Sequence, residues 1–211
     1  MKISPSVLDA NYQQFQAEID SLCTADRIHL DIMDGQYVPN ISFGPPVFKS
    51  IAFPVEIEAH LMVENPENFI EMFIVLGCRT ITFHIENTGL ERAKDLLKVI
   101  KSKDINAGIC VDGDTEVAIL DDEILSLADQ VLLMSVKAGF GGQVFREEIY
   151  DKIQTLRKKG YKGEIEIDGG VNLENAPKLA SAGADIVVIG SALMKKPIEE
   201  RASIIQTVQA C

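Results

Sequence analysis

The chain has 211 residues, 46% of them apolar, and a formal charge of −12 from 20 Lys and Arg against 32 Asp and Glu. That length suits one domain, and the apolar share supplies a substantial core, which sets aside a disordered chain. The acidic balance repels phosphate polymers and anionic lipid, so nucleic-acid and membrane partners are not expected.

The four cysteines, Cys23, Cys78, Cys110 and Cys211, show no CxxC or paired spacing. No signal-peptide pattern and no apolar run of membrane-spanning length is present, so a cytoplasmic protein with reduced thiols is the expectation.

Short β-branched runs recur along the chain, at 2–8, 27–33, 55–62, 79–85, 105–111, 130–136, 164–170 and 185–191. Their starts lie 21 to 34 residues apart, which is the period of a strand followed by one helix and two loops. Amphipathic stretches fill the gaps. One is 65–77, with Phe69, Ile70, Phe73, Ile74 and Leu76; another is 176–184, with a terminating Gly183. Eight such units in one domain spanning 1–211 predict a single (β/α)8 barrel of the phosphate-binding type, in preference to a doubly wound open sheet.

In a barrel the chemistry belongs at the C-terminal ends of the strands, and the polar residues of these strands gather there. The two-residue strand period puts His29 and Asp31 on the inner face with Ile28, Leu30 and Ile32 outside. By the same alternation His60 and Asp168 point inward. Two imidazoles and two carboxylates at one mouth suit a borderline divalent cation such as Zn²⁺, Fe²⁺, Mn²⁺ or Co²⁺. An HxD pair alone is commonly a hydrogen-bonded core feature; the convergence of four donors, and the cost of burying two carboxylates without a cation, favour the metal.

A second constellation is the run Gly139, Phe140, Gly141 and Gly142 after strand six, joined by Gly169 and Gly170 after strand seven and by Gly190 and Ser191 after strand eight. Glycine lets backbone N–H groups approach an anion closely, so three such loops at one mouth read as a phosphate site, although each pair alone could be a turn. Met33, Met62 and Met134 either form a soft apolar rim over the ion or fill core. Asp34 is expected to hold a ligand histidine. His84 and Glu86 either orient a ligand or cap the end of strand four. Glu164 and Glu166 share the inner face with Asp168, deeper in the barrel, without a partner that the sequence names.

The segments PSVL at 5–8, HLDIMDGQYVPNISFGPP at 29–46, HLMVENP at 60–66, HIE at 84–86, LLMSVKAGFGGQVF at 132–145, EIDGGV at 166–171 and AGAD with IGSAL at 182–193 together resemble the ribulose-phosphate 3-epimerase family. The resemblance runs nearly the full chain. It implies C3 epimerisation of a ketose phosphate, D-ribulose 5-phosphate to D-xylulose 5-phosphate, through a cis-enediolate. It implies one divalent metal ion held by His29, Asp31, His60 and Asp168, with Asp31 and Asp168 as acid and base. It places the sugar phosphate against Ser6, His60, Gly139, Phe140, Gly141, Gly142, Gly169, Gly170, Gly190 and Ser191, and it suggests a homo-oligomer. Two loops depart from the family: Lys137-Ala138 stands where most members have Asn-Pro, and Val111 to Thr115 replaces an Asn-Pro-x-Thr-Pro loop. These departures leave open a hexulose-phosphate substrate such as allulose 6-phosphate. A catalytically silent phosphosugar-binding barrel is the reading from another class. Lys137 either meets the phosphate or a distal hydroxyl, or is solvated.

Overall fold

The computed structural model describes residues 1–211. Eight strands alternate with helices: β1 Lys2–Pro5, β2 Arg27–Met33, β3 Glu56–Met62, β4 Thr80–His84, β5 Asn106–Val111, β6 Gln130–Met134, β7 Glu164–Asp168 and β8 Ile186–Ile189. All pair in parallel, in the order β1-β8-β7-β6-β5-β4-β3-β2. The bridge between Ser6 and His29, with the Val7 N–H donating to the His29 carbonyl at 3.3 Å, closes the sheet between β1 and β2. The single-domain (β/α)8 barrel expected from strand spacing is the fold. No helix is long and apolar enough to cross a membrane.

The helices lie outside. They are α1 Phe15–Asp20, α2 Pro45–Phe48, α3 Glu67–Leu76, α4 Ile85–Lys101, α5 Asp122–Leu127, α6 Ile149–Lys158, α7 Ala176–Ala182, α8 Ser191–Met194 and α9 Ile198–Gln209. The two amphipathic stretches read from the sequence are α3 and α7. Each ends where a left-handed glycine, Gly77 at φ 102° and Gly183 at φ 109°, turns the backbone out of the helix.

Every residue of β2 is buried, as a strand covered on both faces must be. Ile28, Leu30 and Ile32 face the helical shell and join the main apolar core. A smaller apolar cluster, including Met33, Met62, Cys110, Leu132 and Met134, gathers toward the C-terminal ends of the strands, at the mouth. Several strands stop short of the sequence expectation, β1 at Pro5, β6 at Met134 and β7 at Asp168, because the chain leaves the sheet there to build the mouth. At β4 the strand ends at His84, and Glu86 belongs to the first turn of α4.

Helix α9 is pinned to α1 by Arg201, whose guanidinium donates to Glu18 at 2.9 Å, to the Ser21 hydroxyl at 3.0 Å and to the Met194 carbonyl at 2.8 Å. Both members of the ion pair are buried. Removing one partner strands a buried charge, so Arg201→Met costs about 3–5 kcal/mol in urea unfolding. Pairing it with Glu18→Leu recovers much of that loss, because no uncompensated charge is left.

Candidate active site

Register places the inner polar residues. On β2 and β3 the pairs Asp31 with His60 and His29 with Glu58 lie side by side, while β7 brings Asp168 beside Met134 of β6. The four donors expected from the sequence converge. His29 Nε2 lies 3.5 Å from an Asp31 oxygen, 3.9 Å from an Asp168 oxygen and 3.4 Å from His60 Nδ1. His60 Nδ1 in turn lies 3.4 Å from Asp31 and 3.7 Å from Asp168. Donors about 2.0–2.2 Å from a tetrahedral ion sit on the order of 3.4 Å from one another, so this set matches a four-coordinate divalent cation.

The electrostatics without a cation are strained. Burial, and then the charge of Asp31, push the Asp168 carboxyl up to about 7. Burial also opposes ionisation of Asp31, but the His29 charge beside it outweighs that and holds Asp31 well below the usual carboxylate range. His29 rises well above its ordinary value: burial works against its charge, and the pull of Asp31 overcomes it. Burial draws His60 down to about 4, against the hydrogen-bonding pull of Asp31.

The cavity above these groups is lined by Ser6, Asp31, Gly139, Phe140, Gly141, Gly142, Asp168, Gly169, Gly170, Gly190 and Ser191, all named from the sequence. Met33, Met62 and Met134 line it too while being almost fully buried, so both readings of these methionines hold: they are core, and they form the apolar wall beside the donors. The Ser6 hydroxyl donates to Asp31 Oδ2 at 2.5 Å, which orients that carboxylate. Gly169 and Gly170 adopt φ 110° and 61°, and a Cβ on Gly170 would press within 2.9 Å of the Phe145 nitrogen; the turn after β7 requires glycine on both counts.

Two expectations need correction, and of the two readings of Lys137 the solvated one fits. His60 does not line the cavity: it is fully buried and meets the pocket floor through Asp31 and Asp168. Asp34 touches no histidine. Its oxygens accept the backbone N–H groups of Gln36 at 2.9 Å, Tyr37 at 3.2 Å and Glu64 at 2.9 Å, so it ties the β2 and β3 loops together. Lys137 is exposed and absent from the cavity lining, which carries no Lys or Arg at all.

Of the layer beneath, sequence reasoning placed Glu164 and Glu166 but missed their partners Arg27, Glu58 and Gln130. Glu58 Oε1 lies 2.9 Å from His29 Nδ1 and accepts from the Ser4 hydroxyl at 2.5 Å, while Oε2 lies 3.2 Å from Arg27. Arg27 also donates to Gln130 at 2.7 Å and to Glu164, and Gln130 donates to Glu166 at 2.6 Å. The signal was the same two-residue period: Arg27 precedes His29 by two residues, and Glu58 precedes His60 by two. Asp9, exposed beside Gly141 and Gly190, was also missed.

Comparison with known proteins agrees with this geometry. A model of the Ribulose-phosphate 3 epimerase family matches residues 2–194. The chain belongs to the ribulose-phosphate 3-epimerase family. By that membership it is an isomerase, an epimerase acting on carbohydrate. The ribulose-phosphate 3-epimerase of Helicobacter pylori strain J99 is 39% identical over 197 residues, covering 90% of this chain and 89% of the relative. That of Escherichia coli K12 is 36% identical over 204 residues, covering 92% and 89%. Among solved structures, 3-hexulose-6-phosphate synthase from Salmonella typhimurium superposes with a TM-score of 0.73 at 15% identity, over 100% of this chain and 97% of that one, which shows the shared barrel.

The raised Asp168 carboxyl has a measurable consequence. A carboxyl near 7 in the fold and near 4 when unfolded binds more protons in the native state between those values, so native stability is lost as pH rises through that window. Metal-free protein therefore loses stability relative to its Asp168→Asn variant between pH about 4 and about 7. Urea midpoints of the two proteins across that range check this, and a parallel course of the two curves would contradict it.

Proposed function

We propose that the protein interconverts D-ribulose 5-phosphate and D-xylulose 5-phosphate by two-base proton transfer at C3, with Asp31 and Asp168 as the acid and base. The observation that carries this reading is the pair of inward carboxylates supplied by strands β2 and β7 around one buried donor cluster. Inverting a carbon beside a carbonyl requires proton removal from one face and delivery to the other, which two groups on different strands can do and one cannot.

His29 Nε2, His60 Nδ1 and one oxygen each of Asp31 and Asp168 would hold a divalent cation, Zn²⁺, Fe²⁺, Mn²⁺ or Co²⁺. Such an ion supplies positive charge where the enediolate oxygens become negative. The chain's own residues set up the rest. Ser6 fixes one Asp31 oxygen, leaving the other toward the histidines. Met33, Met62 and Met134 exclude water from the reacting carbon, which protects the enediolate from side reactions. The backbone of Gly139 to Gly142, Gly169, Gly170, Gly190 and Ser191 takes the phosphate, since no basic side chain lines the cavity to do so.

The test is NMR in deuterated water with ribulose 5-phosphate, and with allulose 6-phosphate in parallel. The expected result is exchange of the C3 hydrogen and appearance of the epimer, faster with the pentulose; a phosphosugar-binding barrel would do neither. Asp31→Asn and Asp168→Asn each lower turnover by about 10²–10⁴-fold, with metal content measured in every variant. Prolonged chelation abolishes activity and a borderline cation restores it. Full activity of demonstrably metal-free protein, or near-wild-type turnover of either metal-loaded variant, would overturn the reading.

A further inference from the structure

On the side of His60 away from the donor cluster, a chain of hydrogen bonds runs to the surface. His60 Nε2 lies 2.9 Å from His84 Nε2, and His84 Nδ1 lies 3.3 Å from Glu86 Oε2. The second oxygen, Glu86 Oε1, accepts the backbone N–H of Asp112 at 2.7 Å. The Asp112 side chain then accepts the N–H of Gly113 at 2.6 Å and that of Ala138 at 3.1 Å. Ala138 opens the loop whose Gly139 to Gly142 line the cavity. The path therefore joins the buried cluster to the loops at 112–115 and 137–143.

Only one placement of protons satisfies every bond in this path when His60 Nδ1 faces a cation. A ligating Nδ1 carries no proton, so His60 donates from Nε2. His84 Nε2 is then the acceptor, and its proton resides on Nδ1, where a carboxylate receives it. Glu86 is the acceptor-only group that meets His84, and it uses both oxygens.

We propose that Glu86 is a positioning residue that couples the cation site to the loops over the mouth. Through His84 it selects the His60 tautomer a cation needs, and through the Asp112 N–H it holds the loops at 112–115 and 137–143 in place. This inference rests on the reading of His60 as a cation ligand. Glu86→Gln keeps the shape but places an NH₂ group opposite either His84 Nδ1–H or the Asp112 N–H. A donor then faces a donor. Either the loop bond is lost, or His84 takes the other tautomer and drives the His60 proton onto Nδ1.

The experiment uses the full chain stripped of metal and titrated with Zn²⁺ by calorimetry, with backbone amide exchange followed at Gly113 and Ala138. In the wild type Zn²⁺ slows exchange at both amides. Glu86→Gln binds Zn²⁺ about 10–100-fold more weakly, and Zn²⁺ at saturation no longer slows those amides, although the metal-free melting temperature is that of the wild type. Asp112→Ala keeps its backbone N–H, so it retains the Zn²⁺ affinity of the wild type while losing protection at Ala138. Unchanged Zn²⁺ affinity in Glu86→Gln, or amide exchange in the wild type that ignores Zn²⁺, overturns this inference alone. A wild-type protein that takes up no Zn²⁺ overturns it together with the metal reading beneath it.

Discussion

Two carboxylates that share one pair of imidazoles impose the constraint on which this molecule is organised. Asp31 and Asp168 approach the same nitrogens of His29 and His60 from different strands, in a cavity lined by no Lys or Arg. Two unit charges about 4 Å apart repel by about 4 kcal/mol at the effective dielectric typical of protein sites. Burial raises Asp168 first and the repulsion adds to it, and either a proton or a cation relieves both. The same feature that makes the cluster costly in isolation gives it an affinity for a proton or a cation.

The layer below keeps that cluster oriented. Arg27 neutralises Glu58 and Glu164, and Glu58, held below the usual carboxylate range by His29 and Arg27 against the cost of burial, can therefore stay ionised under His29 Nδ1. That keeps a proton on His29 Nδ1, so the proton a cation would displace is the one on Nε2, which faces the cavity. Glu166 is treated differently. Burial and the Glu58 charge raise it well above the ordinary range, so it is the neutral member of the layer, and its Oε1 has no hydrogen-bond partner. Arg27 serves Glu58 and shares Glu164 with Lys2, and the third carboxylate is kept as an acid.

Strand spacing and two-residue alternation made the barrel and the inward set of His29, Asp31, His60 and Asp168 legible, because both follow from local pattern alone. What alternation cannot supply is the register between strands. The pairing of His29 with Glu58 depends on how β2 aligns with β3, and the reach of Arg27 to Gln130 crosses the barrel between residues 103 apart in sequence. The Asp34 expectation failed for a related reason. An aspartate after a strand can serve a buried histidine or cap a loop, and the chain path from Gly35 to Tyr37 decides for the loop by offering two backbone N–H groups to one oxygen.

The mouth shows how a barrel can keep a loop ordered without proline. The loops at 112–115 and 137–143 contain no proline, and side chains supply the restraint. The Lys152 ammonium, drawn below its ordinary pKa by burial, donates to the carbonyls of Asp112, Gly113 and Thr115 at 3.2, 2.7 and 2.7 Å. Gln143 donates to the Lys137 and Phe140 carbonyls, and Asn40 donates to that of Gly139 at 2.7 Å. Proline restricts a loop in every state of the chain, including the unfolded one, whereas these bonds act only in the native arrangement and can be released one at a time. A mouth held this way is ordered by bonds that form only with the fold, while the strands beneath it carry the buried donor cluster.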